Sequence, residues 1–304
     1  MRRLQLTGLI AATFTPMRAD GSLDLDRVGP VVDHLVRQRV KGLYVVGTTG
    51  EGVSLSGRER MAVAEAFVAA AARRLPVIIQ VGHTSLGEAR ELAAHAQRIG
   101  ADAISAISPW YFRPESMEIL MQCMAEITAG APELPFYYYH IPSFTGVQMD
   151  MVEFLRLAEK RLANFAGLKY TCPTIYEYQA CLKLAEDRLD VLFGCDEMLL
   201  SALVVGARGA VGTTYNFAAP IYLHLIEAFE RRDIAAASRY QAQSVAMVEV
   251  ARRYRGRPGL KAMMKLIGVD CGPSRLPQVT VSDTELEAMR QELEAIGFFE
   301  WIRS

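Results

Sequence analysis

The chain has 304 residues, 51% of them hydrophobic and 22% charged, with a formal net charge of −1. That length holds two small domains or one large α/β domain, and it buries a sizeable core without disulfide or metal staples. The charges are balanced and form no long run of one sign, which excludes broad electrostatic capture of nucleic acid or of an anionic membrane.

Short apolar runs alternate with longer amphipathic stretches. Leu6–Thr13 reads as a strand, followed by a helix over Asp24–Arg39. Gly42–Val46 is the next strand. Ser56-Gly57-Arg58-Glu59 then has the form of a capping box, and an Ala-rich helix runs on to about Arg73. Strand and helix alternate five more times: Pro76–Val81 and Ser85–Ile99, Asp102–Ile107 and Glu115–Ala129, Pro135–Ile141 and Met149–Leu162, Phe165–Thr171 and Thr174–Asp187, Val191–Cys195 and Glu197–Val205. Gly209–Thr214 is the eighth strand, with its helix over Ala218–Arg231. Strict alternation implies right-handed crossovers and a parallel sheet, and eight units predict a closed (β/α)8 TIM barrel over residues 1–231. An open doubly wound sheet is the rival topology. Residues 232–304 carry helical patterns without strands and read as a C-terminal helical extension packed on the barrel.

The five cysteines, Cys123, Cys172, Cys181, Cys195 and Cys271, include no CxxC pair, and no apolar stretch follows Arg2 and Arg3 as it would in a secretory leader. Reduced thiols and a cytoplasmic location are expected. No apolar run is long enough to span a bilayer. Metal ligation is not expected: there is no HExxH or CxxC, and the five histidines are scattered.

In a barrel, reacting groups sit at the C-terminal ends of the strands. The sixth strand ends on Lys169, where the run Phe165-Ala166-Gly167-Leu168 leads one to expect an apolar residue. Burial lowers a lysine's pKa and supplies the neutral amine that attacks a ketone. Taken alone, the strand pattern favours a lysine that snorkels to water; the neighbouring strand ends reverse that preference. Tyr139 closes the fifth strand, and a phenol there relays protons, or else packs as a rim aromatic. Alternation sets Tyr137 and Tyr139 on one face and His140 on the other, so His140 reads as structural. Gly47-Thr48-Thr49-Gly50-Glu51-Gly52 is a Gly/Thr turn whose N–H and hydroxyl groups suit a small carboxylate, and it is neither a Walker loop nor GxGxxG. Asp196 and Glu197 follow the seventh strand, either accepting hydrogen bonds from substrate hydroxyls or favouring the next helix through its dipole.

Together these strand ends resemble the dihydrodipicolinate synthase/N-acetylneuraminate lyase family of pyruvate-dependent class I aldolases, over nearly the whole chain and in the family's order. Gly47-Thr48-Thr49-Gly50-Glu51 is similar to the family's carboxylate loop, Tyr139 with Pro142 and Gly146 to its catalytic-tyrosine segment, and Gly167-Leu168-Lys169 to its Schiff-base strand. Tyr137 to Pro142, Phe193 to Glu197 and Gly212 to Asn216 are most similar to the sialate-cleaving branch, with Thr213 where serine is usual. Phe144 stands where dihydrodipicolinate synthases carry an arginine that binds the second substrate's carboxylate.

The resemblance implies Schiff-base formation at Lys169, proton transfer at Tyr139, and substrate contacts at Thr48, Thr49, Thr171, Gly194, Asp196, Glu197 and Thr213. It implies no cofactor and a homotetramer, and it places Tyr111 in a possible proton relay with a neighbouring subunit. The expected reaction is reversible cleavage of N-acetylneuraminate to N-acetylmannosamine and pyruvate. Alternatives are a dihydrodipicolinate synthase-like enzyme or a 2-oxo-3-deoxy sugar acid aldolase or dehydratase on the same scaffold, and, from another class, a non-catalytic 2-oxo acid binding protein.

Overall fold

In the computed structural model, residues 4–303 are described. Arg2 and Arg3, part of the segment read for a leader, lie outside the described residues. Eight parallel strands close into one barrel in sequence order, β1 (Gly8–Ala12), β2 (Gly42–Val45), β3 (Val77–Gln80), β4 (Ala103–Ala106), β5 (Phe136–His140), β6 (Phe165–Tyr170), β7 (Asp190–Phe193) and β8 (Gly209–Gly212). The ladder from Gly8–Ala11 of β1 to Gly209–Gly212 of β8 completes the ring, so the protein is a TIM barrel and the open-sheet rival is excluded.

Helices α1 (Val28–Arg37), α2 (Gly57–Ala71), α3 (Leu86–Arg98), α4 (Met117–Thr128), α5 (Pro142–Thr145), α6 (Met151–Arg161), α7 (Ile175–Ala185), α8 (Leu199–Val204) and α9 (Tyr215–Glu230) follow the strands and cover the outside, except the short α5, which sits at the barrel mouth. The capping box read at Ser56 is present: Ser56 Oγ accepts from the Glu59 amide, and Glu59 accepts from the Ser56 amide at 2.9 Å. Ser85, Ser116 and Asp150 cap α3, α4 and α6 by accepting first-turn backbone N–H groups, without the reciprocal bond.

Most element ends fall within one or two residues of the sequence reading, and larger differences arise at the start of α1 and between β8 and α9. Asp24 pairs with Arg27 at 3.0 Å rather than capping a helix, so a 3-10 turn over Leu25–Arg27 precedes α1. Strand β8 stops at Gly212 rather than Thr214, because the Thr214 amide and hydroxyl turn aside to Asp196. Helix α9 therefore begins at Tyr215, three residues before the expected Ala218, where the backbone kinks ahead of Pro220.

Two cores result. Inside the barrel, Ile10, Tyr44, Ile78, Tyr137, Tyr139, Leu192 and Val211 pack together. The outward-facing strand residues pack against the helices. The C-terminal helices α10 (Ile234–Arg253), α11 (Arg257–Leu266), α12 (Asp283–Ala295) and α13 (Phe298–Trp301) follow. A buried ion pair ties α11 to the loop after β2: Lys261 Nζ lies 2.8 Å from Glu51 Oε1 and 2.7 Å from the Pro273 carbonyl oxygen. The second Glu51 oxygen accepts from the Arg275 amide at 2.8 Å. Removing one partner strands a buried charge, so Lys261→Met is expected to destabilise the fold by about 3–5 kcal/mol in a urea titration. No described helix is long and apolar enough to cross a membrane.

Candidate active site

The strand C-termini open onto a cavity of about 660 Å³, a size suited to a small molecule. Lys169 and Tyr139 are Cα partners across the β5–β6 ladder, so both point inward, side by side. Their register depends on a bulge: the pairing slips between Phe136 and Tyr137, which leaves Ala166 as an extra residue on β6. Without it, strand alternation would aim Lys169 at the helices. Gly167 makes the bulge possible, since a Cβ there would lie 1.9 Å from the Asp190 carbonyl oxygen.

Lys169 is 4% exposed, and its Nζ sits 3.9 Å from the ring centroids of both Tyr44 and Tyr139. The two aromatic faces favour an ammonium. Burial disfavours it more strongly, because no acidic side chain among the described residues pairs with the amine; Tyr139 and, to a smaller extent, Asp196 oppose the shift without reversing it. The lysine pKa is therefore lowered.

The Tyr139 hydroxyl lies 3.4 Å from Thr48 Oγ1, and Thr49 Oγ1 is 2.6 Å from Thr213 Oγ1. The loop carrying both threonines turns sharply: Val46 has φ +49°, a costly conformation for a β-branched residue. Gly47 allows close approach, since a Cβ there would fall 2.6 Å from the Tyr44 ring.

Thr171 and Gly194 meet on the opposite wall. A Cβ on Gly194 would lie 1.9 Å from Thr171 Oγ1. That hydroxyl oxygen is buried and has no hydrogen-bond partner among the described residues. Leaving it so costs about 1–3 kcal/mol, which a substrate oxygen would offset.

Asp196 Oδ2 accepts from the Thr214 amide at 2.9 Å and its hydroxyl at 2.6 Å. Burial, with a smaller contribution from the charge of Glu197, raises its pKa to about 6. Glu197 is half-exposed, 3.8 Å from Arg252.

The cavity thus gathers Lys169, Tyr139, Thr48, Thr49, Thr171, Gly194, Asp196, Glu197 and Thr213. Tyr111 is not among its lining residues; it is 78% exposed and packs edge-on against Phe112. His140 faces the helices between the Tyr138 and Tyr170 rings, as alternation implies, and burial lowers its pKa to about 4.

Sequence reasoning missed Tyr44, although alternation along Leu43-Tyr44-Val45 marks it as the inward residue of β2. It also missed the cavity's roof, formed by Arg252, Arg255 and Arg257 of the α10–α11 segment with Pro277 and Gln278. No local pattern announces that these residues return to the barrel mouth.

The dihydrodipicolinate synthetase family profile matches residues 5–296. The chain is 42% identical over 299 residues to the N-acetylneuraminate lyase of Pongo abelii, across 97% of this chain and 93% of that protein. The structure of Proteus mirabilis N-acetylneuraminate lyase matches with a TM-score of 0.93 at 38% identity, over 96% of this chain and 99% of that one. The N-acetylneuraminate lyase (sialic acid aldolase) of Aliivibrio salmonicida matches with a TM-score of 0.93 at 39% identity, over 98% of each chain.

Proposed function

The chain belongs to the dihydrodipicolinate synthetase family, and from that premise we propose that it is a carbon–carbon lyase that cleaves N-acetylneuraminate reversibly to N-acetylmannosamine and pyruvate. The observation that carries the chemistry is Lys169, buried between two tyrosine rings and in register with Tyr139.

The open-chain sugar acid seats its carboxylate at Thr48 and Thr49. The neutral Lys169 amine adds to the 2-oxo carbon, and the carbinolamine hydroxyl leaves as water with the phenolic proton of Tyr139, which gives a protonated imine and a Tyr139 phenolate. Tyr139, beside Thr48, accepts the proton of the C4 hydroxyl. The C3–C4 bond breaks, its electron pair moves into the imine, and N-acetylmannosamine leaves as the aldehyde. Protonation of the resulting enamine at C3 and hydrolysis release pyruvate and restore the lysine. The imine itself is the electron sink, so the chemistry calls for no metal or organic cofactor. Asp196, Glu197 and Thr213 contact the polyol tail, and Thr171 with Gly194 shapes the wall beside it.

A cytoplasmic location and a homotetramer belong to the same reading, with the exposed Tyr111 placed toward a neighbouring subunit. Pyruvate release, measured across a panel of sugar acids, tests the substrate. Turnover of N-acetylneuraminate above the other acids is expected. Inactivity on it, with activity on another 2-oxo acid, rejects the sugar assignment and retains the lysine chemistry.

A further inference from the structure

The cations of the cavity are not all balanced by acids. Of the arginines on its wall, Arg252 lies 3.8 Å from Glu197 and Arg255 lies 2.8 Å from Glu285. Lys169 is held toward its neutral form. Arg257 alone of these cations has neither a carboxylate nor a hydrogen-bond partner among the described residues. Its guanidinium sits 4.0 Å from the Phe144 ring centroid. Burial lowers its pKa; Tyr139 opposes that shift and Arg252 adds to it.

Helix stability does not explain this arginine. Arg257 is the first residue of α11, where a cation opposes the helix dipole. Phe144 holds the guanidinium by its face, which leaves the N–H edge free. Arg257 also shares a smaller recess with Thr48, Thr49 and Thr213. The proposed substrate is an acid, yet the threonine loop offers its carboxylate no full positive charge.

We propose that Arg257 is a substrate-positioning residue that takes an oxyanion of the substrate in a charge-assisted contact. This rests on the aldolase reading above. The oxyanion is either the C1 carboxylate or an anionic group, such as a phosphate ester, on the sugar tail.

Two measurements on wild type, Arg257→Met and Arg257→Lys separate these sources. The first is calorimetric binding of pyruvate, which carries one oxyanion. The second is the kinetics of cleavage of N-acetylneuraminate and of a tail-phosphorylated sugar acid. Arg257→Met is expected to raise the pyruvate Kd, or the KM for one of the acids, by about 10-fold or more with a smaller change in kcat, and Arg257→Lys to recover part of the loss. A shift for pyruvate assigns the carboxylate; a shift confined to the phosphorylated acid assigns the tail. Unchanged Kd and KM in Arg257→Met overturn the proposal, as does a uniform fall in kcat that Arg257→Lys does not rescue. A wild-type protein that binds pyruvate through Arg257 but forms no lysine adduct rejects the aldolase reading alone. Failure of wild type to bind either probe rejects both.

Discussion

Lys169→Met is expected to lower cleavage by at least about 10⁴-fold while making the protein more stable to heat. The loss follows from removing the one lysine that lines the cavity among the described residues. The gain follows from the burial that activates it. Lys169 is almost fully enclosed, and its pKa lies below the ordinary lysine value because desolvation disfavours the ammonium. A base whose folded pKa is depressed costs stability. That cost is full below the folded pKa and disappears as pH rises toward the unfolded value of about 10.4. The melting temperature of Lys169→Met should therefore exceed that of wild type at neutral pH, with the difference shrinking toward pH 10. Lys169→Arg should be equally inactive, because a guanidinium does not lose its proton in this range. Calorimetric melting beside pyruvate-release kinetics checks both halves. Active Lys169→Met, or a variant less stable than wild type at neutral pH, contradicts the account.

Tyr139→Phe is expected to lower kcat/KM by on the order of 10²–10⁴-fold and to leave stability nearly unchanged. The phenol gives up a contact with Thr48 at 3.4 Å and a bond with the Lys169 amine, so few hydrogen bonds are lost with it. The ring stays in place against Tyr44, with centroids 5.7 Å apart, so Lys169 keeps its enclosure. Pyruvate should still form an imine in Tyr139→Phe, more slowly. A variant that turns over at the wild-type rate removes Tyr139 from proton transfer.

The fold and the centre of the site were legible because both rest on local, periodic signals. Buried parallel strands read as short apolar runs, and capping residues such as Ser56 and Ser85 punctuate the helices. Lys169 stands out because it interrupts one of those runs, and Tyr139 because it ends another. What was not legible depends on contacts remote in sequence. The roof of the cavity is fixed by Lys261 meeting Glu51 across 210 positions, and no composition or spacing near Arg257 signals that pairing. Asp196 shows the same limit: its position after β7 is visible, but the capture of its Oδ2 by Thr214, which ends β8 early, is a tertiary event. The bulge at Ala166 is hidden as well. A reading that pairs β5 and β6 residue for residue would turn Lys169 away from the cavity.

Reduction with borohydride in the presence of pyruvate, followed by peptide mass mapping, tests the central claim most directly. The account predicts one stable adduct, on the peptide that carries Lys169, lost in Lys169→Met and retained in Tyr139→Phe. An absent adduct, or one on another lysine, would contradict it.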